Sequence, residues 1–240
     1  MKQIYKSLNT QRRFYSGVSV APSVTEFAIL LDGRAPRSPR GRPLALPTRG
    51  AADLVAAEWS AQAASIDMAS MPMTRLTHTA LDGVAETRAE TAASVARFAG
   101  ADLVCYFAEG PTTLVARQEA TWAPLIDWAR EDLGLAFERS RGIAFRNQPP
   151  ATLAAVEALA AGVADFALAG LALAAATFGS AILSLALWRG RVTGAEAFSA
   201  SRLDEAFQAE TWGEDAEATV AAGQIAADAD MLDRWFRALA

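Results

Sequence analysis

The stretch SRLDEAFQAETWGEDAEA, residues 201–218, concentrates carboxylates beside aromatic side chains. It contains six acidic residues and a single cation, Arg202, with Phe207 and Trp212 between the acids. Carboxylates grouped in this way can act as a general acid and base, or they can bind a basic protein partner. The spacing of the acids distinguishes between these two kinds of chemistry.

The adjacent acids Asp204 and Glu205 are poorly spaced for acid–base catalysis. Glycosidase-type chemistry needs two carboxyl groups that face each other across a cleft, whereas neighbours on a helix point about 100° apart. His78, the only histidine, could supply a base, so a small-molecule enzyme that uses Asp204, Glu205 and His78 remains an alternative hypothesis. One histidine and one cysteine are too few for a zinc site, and we expect no metal and no cofactor.

A helix through this stretch would arrange its side chains in three groups. These are a core-facing group of Leu203, Ala206 and Phe207, one flank with Asp204 and Gln208, and a second flank with Glu205, Gln208 and Trp212. Asp204 has no cation three or four residues away, and Glu205 has only Arg202, on the less favourable N-terminal side. We therefore predict a protein-binding surface made of Asp204, Glu205, Phe207, Gln208 and Trp212. The alternative is that the acids are solvated and that Trp212 packs in the core.

Positive charge is concentrated far from these acids. Residues 1–50 carry nine Lys and Arg against Glu26 and Asp32, whereas residues 192–240 carry three Arg against ten acids. The proline-rich stretch RAPRSPRGRPLALPT predicts an edge strand or an extended arm. We expect its four arginines either to protect a sheet edge or to form a second contact area for a partner. They are Arg34, Arg37, Arg40 and Arg42. The composition, 52% apolar and 20% charged, argues against a nucleic-acid binder, and no phosphate-binding glycine loop is present.

Residues 166–188 contain no charge over 23 residues, which is long enough to span a bilayer. Much of the segment is Ala, Gly, Ser and Thr, which gain little from lipid, and Glu157 and Asp165 precede it in a continuous helical pattern. We expect a buried helix pair broken near Phe178-Gly179-Ser180, with a membrane helix as the alternative. Cys105, in the apolar run LVCYF, is expected to be a small buried hydrophobe.

The periodicities predict an α+β fold with segregated elements. Residues 14–47 indicate β structure with a tight turn at Asp32-Gly33, and a helical pattern starts at Arg49. A further helix follows Pro72, with Thr74 as its expected N-cap. We expect a β-rich N-terminal domain with one helix over residues 1–70 and a larger α-helical bundle over residues 71–240.

Several uncommon motifs occur in an order that resembles one protein family. They are RRFYSGVSV, FAILLDGRAPRSPRGRPLALPT, AAEWSAQ, MPMTRLTHTALD, ADLVCYF and SRLDEAFQAETWG. Together they are similar to the assembly chaperone of the F-type ATP synthase catalytic head, the factor that attends the α subunit. The family's acidic motif corresponds here to Leu203-Asp204-Glu205-Ala206-Phe207-Gln208, in which the third acid of the family pattern is absent.

The resemblance implies an ATP-independent chaperone rather than an enzyme. It implies binding of the unassembled ATP synthase α subunit, which is kept from aggregating until the β subunit replaces the chaperone. It also implies an N-terminal α/β domain and a C-terminal helical bundle. The composition and the segment 166–188 lead us to expect no nucleic-acid partner and no membrane insertion. The expected location is the bacterial cytoplasm, or the mitochondrial matrix in a eukaryote. Whether the chain associates with itself stays open.

Overall fold

The computed structural model of the protein describes residues 11–142, 146–213 and 215–240. This part of the chain falls into two compact units, of which the first contains residues 11–86 and 238–240 and the second contains Thr87–Arg237. The expected α+β class is confirmed, because a small sheet lies in the first unit and the second unit is mainly helical. The sequence placed a domain boundary near residue 70, whereas the units separate between Glu86 and Thr87, since the helix after Pro72 packs on the first helix of the chain.

The sheet of the first unit is antiparallel, with three strands in the order β1-β2-β3. The strands are β1 (Val18–Pro22), β2 (Phe27–Leu31) and β3 (Ala45–Leu46). A tight turn follows β2, with Asp32 at φ 46° and Gly33 at φ 81°, as the Asp-Gly pair predicted. The Asp32 carboxylate accepts hydrogen bonds from the backbone N–H of Gly17 at 2.7 Å and of Ser16 at 3.0 Å. The turn is thus tied to the segment that enters β1.

Two helices cover this sheet unit. Helix α1 (Arg49–Ser60) is capped by the Thr48 side chain, which accepts from Ala51 N–H, and it buries Val55 and Trp59. Helix α2 (Pro72–His78) is followed by a π-helical turn, Thr79–Val84. The predicted N-cap at Thr74 is wrong, because Met71 occupies the cap position. The Glu58 carboxylate of α1 instead accepts from the N–H groups of Met73 and Thr74, each at 2.8 Å.

Helices dominate the second unit. Their bounds are α3 (Ala85–Gly100, kinked at Thr87), α4 (Thr112–Leu133), α5 (Pro150–Ala161), α6 (Asp165–Phe178), α7 (Ala181–Trp188), α8 (Gly194–Ser201), α9 (Leu203–Trp212) and α10 (Ala216–Leu239). A short parallel pair of strands, β4 (Tyr106–Phe107) and β5 (Ser140–Arg141), lies beside α4. Cys105, just before β4, is fully buried as expected.

The apolar segment 166–188 forms the helix pair α6 and α7 in the core of the second unit, as predicted. Gly179 ends α6 at φ 65°, a left-handed conformation that favours glycine, and Ser180 caps α7 by accepting from Leu183 N–H at 3.0 Å. The buried carboxylate of Asp102 accepts from the Ser180 hydroxyl at 2.5 Å and from Ile182 N–H at 3.0 Å. Within the residues that the structure describes, no helix has the length and apolarity to cross a membrane.

Helix α10 is held at its C-terminal half by close packing. The N–H of the Trp235 indole donates to the carbonyl of Phe166 at 3.1 Å. Gly194 lies so close to α10 that a Cβ added to it would be 2.4 Å from the carbonyl oxygen of Ala229. Beyond Arg237 the chain returns to the first unit, where the Thr48 hydroxyl donates a hydrogen bond to the carbonyl oxygen of Ala238.

Candidate protein-binding site

Helix α9 carries the residues that the sequence predicts to bind a partner. It begins after Arg202, whose backbone is not helical, and it ends at Gly213, whose φ is 93°. None of its residues is buried, so the core does not enclose the helix. Its contacts run to α4, and Leu203 and Phe207 on that side are half-buried.

Asp204 lies where α9 meets α4 and is half-buried. Its carboxylate accepts a hydrogen bond from the Gln118 side-chain amide at 2.8 Å. Gln118 is fully buried, and the oxygen of its side-chain amide, Oε1, accepts from Ala108 N–H at 2.8 Å. Burial raises the pKa of Asp204; the Gln118 hydrogen bond lowers it and the charge of Glu205 raises it. The hydrogen-bonding partner of Asp204 is therefore a neutral amide, which leaves its negative charge uncompensated at this contact.

Arg117 fastens the other end of α9 to α4. Its guanidinium group forms an ion pair with Glu210 at 2.8 Å and lies 5.3 Å from the centre of the Phe207 ring. Both charged side chains are about half exposed, so solvent screens the ion pair and its contribution to stability is small. Phe207 is thus partly covered from within the chain, whereas the sequence offered it both as a core residue and as a contact for a partner.

The outward face of α9 presents Glu205, Gln208 and Trp212, as the helical spacing predicted. All three are exposed, and Trp212 has 78% of its surface accessible. The alternative that Trp212 packs in the core is therefore wrong. Glu205 is paired with Arg202 at 2.9 Å, and the pair lies at the surface.

Sequence reasoning missed Arg117 and Gln118, the two α4 residues that hold α9. Gln118 precedes Asp204 by 86 residues, and Arg117 precedes Glu210 by 93 residues. No local spacing signals such contacts.

The enzyme hypothesis combined Asp204 and Glu205 with His78. The carboxylates belong to the second unit, whereas His78 ends α2 in the first unit. Burial lowers the pKa of His78, and the charge of Asp82 raises it. The Nε2 atom of His78 is buried and has no hydrogen-bond partner within the described ranges. Within the described residues, His78 Nε2 therefore has no partner that would orient the ring as a general base.

The four arginines of the proline-rich arm are exposed, and the arm folds into compact turns. The Ser38 hydroxyl donates to Asp82 at 2.6 Å, and Arg40 N–H donates to the same carboxylate at 3.0 Å. The Arg40 side chain is ion-paired with Glu86, and Arg37 donates to the carbonyl of Gly41 at 2.6 Å. Two of the predicted contact arginines are thereby engaged within the first unit, while Arg34 and Arg42 remain candidates for a second contact area.

No group of three metal-ligating side chains occurs among residues 11–142, 146–213 and 215–240. Cys105 is buried, and burial raises the pKa of its thiol far above the ordinary value, so a thiolate is disfavoured. The chemistry that the described surface offers is that of carboxylates and an exposed indole on one helix.

The similarity to proteins of known structure extends over nearly the whole chain. The protein is similar to Atp12 from Paracoccus denitrificans, at 37% identity and a TM-score of 0.89, over 95% of this chain and 98% of that chain. A structure of an aspartate-to-lysine mutant of the same Paracoccus protein matches at 36% identity and a TM-score of 0.90, with the same coverage. The Atu1473 protein from Agrobacterium tumefaciens matches at 38% identity and a TM-score of 0.87, over 95% of this chain and 86% of that chain.

The family model described as ATP12 chaperone protein matches residues 12–130. That range ends within α4, and the structural matches extend the similarity to the remaining helices. The resemblance that the sequence motifs indicated is confirmed. The chain belongs to the ATP12 chaperone family.

Proposed function

We propose that this chaperone of ATP synthase assembly binds the unassembled α subunit and holds it until the β subunit replaces it. The α9 face of Glu205, Gln208 and Trp212, together with the neighbouring Asp204, is the surface that we assign to this contact. The observation that carries the proposal is Trp212, 78% exposed on a helix that is acidic and has no buried residue. An indole exposed to this extent gains free energy when a partner covers it, and tryptophan is enriched among residues that dominate binding energy.

The charge pattern indicates what kind of partner this face binds. Residues 203–233 contain nine carboxylates and no lysine, arginine or histidine; the acids are Asp204, Glu205, Glu210, Glu214, Asp215, Glu217, Asp228, Asp230 and Asp233. Arginines outside this range pair with four of these acids, which are Glu205, Glu210, Asp230 and Asp233. The remaining excess of negative charge attracts a basic surface and speeds encounter with it. An assembly subunit whose interface is still uncovered is prone to aggregate, and covering it prevents this.

Release to the β subunit requires a contact of limited strength. A surface of one helix with charged specificity and a single large aromatic residue is small compared with the interfaces of obligate complexes. Charged contacts also let a competing subunit bind without first separating a large apolar interface. The proposal requires binding alone, with no catalytic step, and the expected compartment is the bacterial cytoplasm or, in a eukaryote, the mitochondrial matrix.

The test is co-expression of the chain with the ATP synthase α subunit, with and without the β subunit. We expect α to remain soluble and to copurify with the chain, and added β to reduce the amount bound. The double variant Asp204→Asn/Glu205→Gln should weaken capture about tenfold or more. A matched control is Glu131→Gln/Asp132→Asn, a second adjacent acid pair, exposed at the end of α4.

The outcomes separate the site from the function. If α aggregates in the presence of the unmodified chain, the proposed function is wrong. If α is captured equally by the unmodified chain and by the Asp204→Asn/Glu205→Gln variant, the function stands and the α9 assignment is wrong. Circular dichroism of the double variant excludes unfolding as the cause of a loss.

A further inference from the structure

The first half of α10 is an exposed and largely apolar piece of helix. The C-terminal half of α10 buries Ala229, Met231, Leu232, Trp235 and Phe236. Residues 216–228, by contrast, include no buried residue, and Val220 is 70% exposed. We call residues 216–228 the α10 extension. It is the part of the helix that packs least on the body of its own unit.

The composition of the α10 extension does not match its exposure. Its sequence, AEATVAAGQIAAD, has Glu217 as the only charge before Asp228. Its side-chain hydrogen bonds in the described structure stay local: Asp215 accepts from Ala218 N–H at 2.8 Å, and Gln224 donates to Asp228 at 3.1 Å. A solvated helix normally carries many charged residues, and a helix that is apolar on all sides is normally buried. The α10 extension therefore has the composition of a covered helix.

The apolar pattern is continuous with the buried half of the helix. Leu232 and Ala229 are buried, and at the same spacing toward the N-terminus Ile225 and Ala222 are half-buried. The stripe then continues to Ala218, which is exposed. This stripe thus runs on beyond the part that the chain itself covers, and Val220 and Gly223 lie on the opposite side of the helix, so the α10 extension is apolar on both sides.

Gly223, in the middle of the α10 extension, is not required by the packing of this chain. A Cβ added to it would have nothing within 4 Å. A glycine inside an exposed helix costs about 1 kcal/mol relative to alanine. Because Gly223 has no side chain, the backbone of another protein could approach the helix closely at this point. Val220 lies three residues before Gly223 on the same side of the helix.

The charges around the α10 extension restrict what can cover it. Both charges of the α10 extension, Glu217 and Asp228, are acidic, and neither forms an ion pair within the described residues, so two copies paired through this extension would place like charges together. Anionic lipid and nucleic acid are repelled for the same reason. The occupant that remains is a protein segment with an apolar centre and basic flanks.

We propose that the α10 extension is a second docking surface, which binds an apolar segment with basic flanks on the client. This inference rests on the proposed function, because the client is the α subunit. Glu217 and Asp228 flank the apolar centre and pair with the client's cations, and Val220 and Gly223 contact its apolar residues. The α10 extension is separate in sequence from the α9 face, so its contribution is measured separately.

The experiment places a photo-cross-linking amino acid at position 220 of the full chain and, as a control, at position 24. Val24 is 98% exposed in the first unit and belongs to neither proposed surface. Both proteins are irradiated after co-expression with the α subunit. We expect a cross-link to α from position 220 and none from position 24. The substitution Val220→Glu should weaken binding of α about tenfold, whereas Val24→Glu should leave it unchanged.

Each outcome decides the inference. If the unmodified chain captures α but position 220 yields no cross-link and Val220→Glu binds as tightly, the inference is wrong while the proposed function stands. If position 220 cross-links to a second copy of the chain, the surface binds that copy and the client segment is the wrong occupant. If the unmodified chain does not capture α, both proposals fail together. Because position 220 is exposed and glutamate favours helices, the substitution should not unfold the protein.

Discussion

Replacing Gln118 by leucine should loosen α9 from the second unit. Leucine has nearly the volume of glutamine and forms no hydrogen bond, so the change removes the Asp204 contact and the Ala108 contact, both of 2.8 Å. A part-buried N–H left without an acceptor costs about 1–3 kcal/mol, and a hydrogen bond to a carboxylate contributes about 1.5–3 kcal/mol when buried. Because Asp204 is only half-buried, we expect a total loss of about 2–4 kcal/mol in the free energy of unfolding.

Urea unfolding followed by tryptophan fluorescence measures this loss, and amide hydrogen exchange over residues 203–212 locates it. Gln208→Leu is the matched control, because Gln208 is exposed on α9. This substitution should change the free energy of unfolding by less than about 0.5 kcal/mol. A double-mutant cycle with Asp204→Ala isolates the Gln118–Asp204 contact and should give a coupling energy of about 1 kcal/mol or more.

The pH dependence gives a further check. Burial raises the pKa of Asp204 in the folded protein, so this carboxylate favours folding most when it is protonated, and its contribution declines as the pH rises. Removing the Gln118 donor raises this pKa further, and the Gln118→Leu penalty should therefore grow with pH. A loss under 1 kcal/mol, or a coupling energy near zero, would refute the assignment of Gln118 as the residue that holds α9.

Two other predictions concern the second unit, one for the buried Asp102 and one for two glycines. Burial raises the pKa of Asp102 to about 7 from an ordinary 3.8, against the lowering effect of the Ser180 hydrogen bond. Because the pKa of Asp102 is higher in the folded than in the unfolded protein, the free energy of unfolding should fall as the pH rises from 3.8 through about 7. Asp102→Asn should flatten this pH dependence in thermal melts, and an unchanged pH dependence in the variant contradicts the prediction. Gly194→Ala should destabilise the protein by about 1–3 kcal/mol, since its Cβ would meet the Ala229 carbonyl, whereas Gly223→Ala should stabilise it by up to about 1 kcal/mol. Equal melting temperatures for these two variants would show that the packing at α10 is described wrongly.

The elements that the sequence predicted well are those with local signals. The break between α6 and α7 follows from Gly179, which adopts a left-handed conformation, and from Ser180, whose hydroxyl caps the next helix. The turn at Asp32-Gly33 is similarly local. Such residues define structure within a few positions, so they can be interpreted without knowledge of the fold.

The features that the sequence did not predict depend on distant partners. Thr74 has the side chain of an N-cap, but the Glu58 carboxylate of another helix satisfies the first N–H groups of α2. Asp204 looked unpaired because its partner, Gln118, lies 86 residues away. The exposure of Trp212 was also open, since an aromatic residue at this helical spacing suits a core and an interface equally well.

The return of the chain after Arg237 affects how the protein can be made on the ribosome. The first unit comprises an early segment and residues 238–240, so its residues are not contiguous in the order of synthesis. Ala238, which accepts the Thr48 hydroxyl hydrogen bond and lies 3.4 Å from the Cβ position of Gly50, is translated only after the whole second unit. Translation therefore completes the first unit last, although most of its residues are made first.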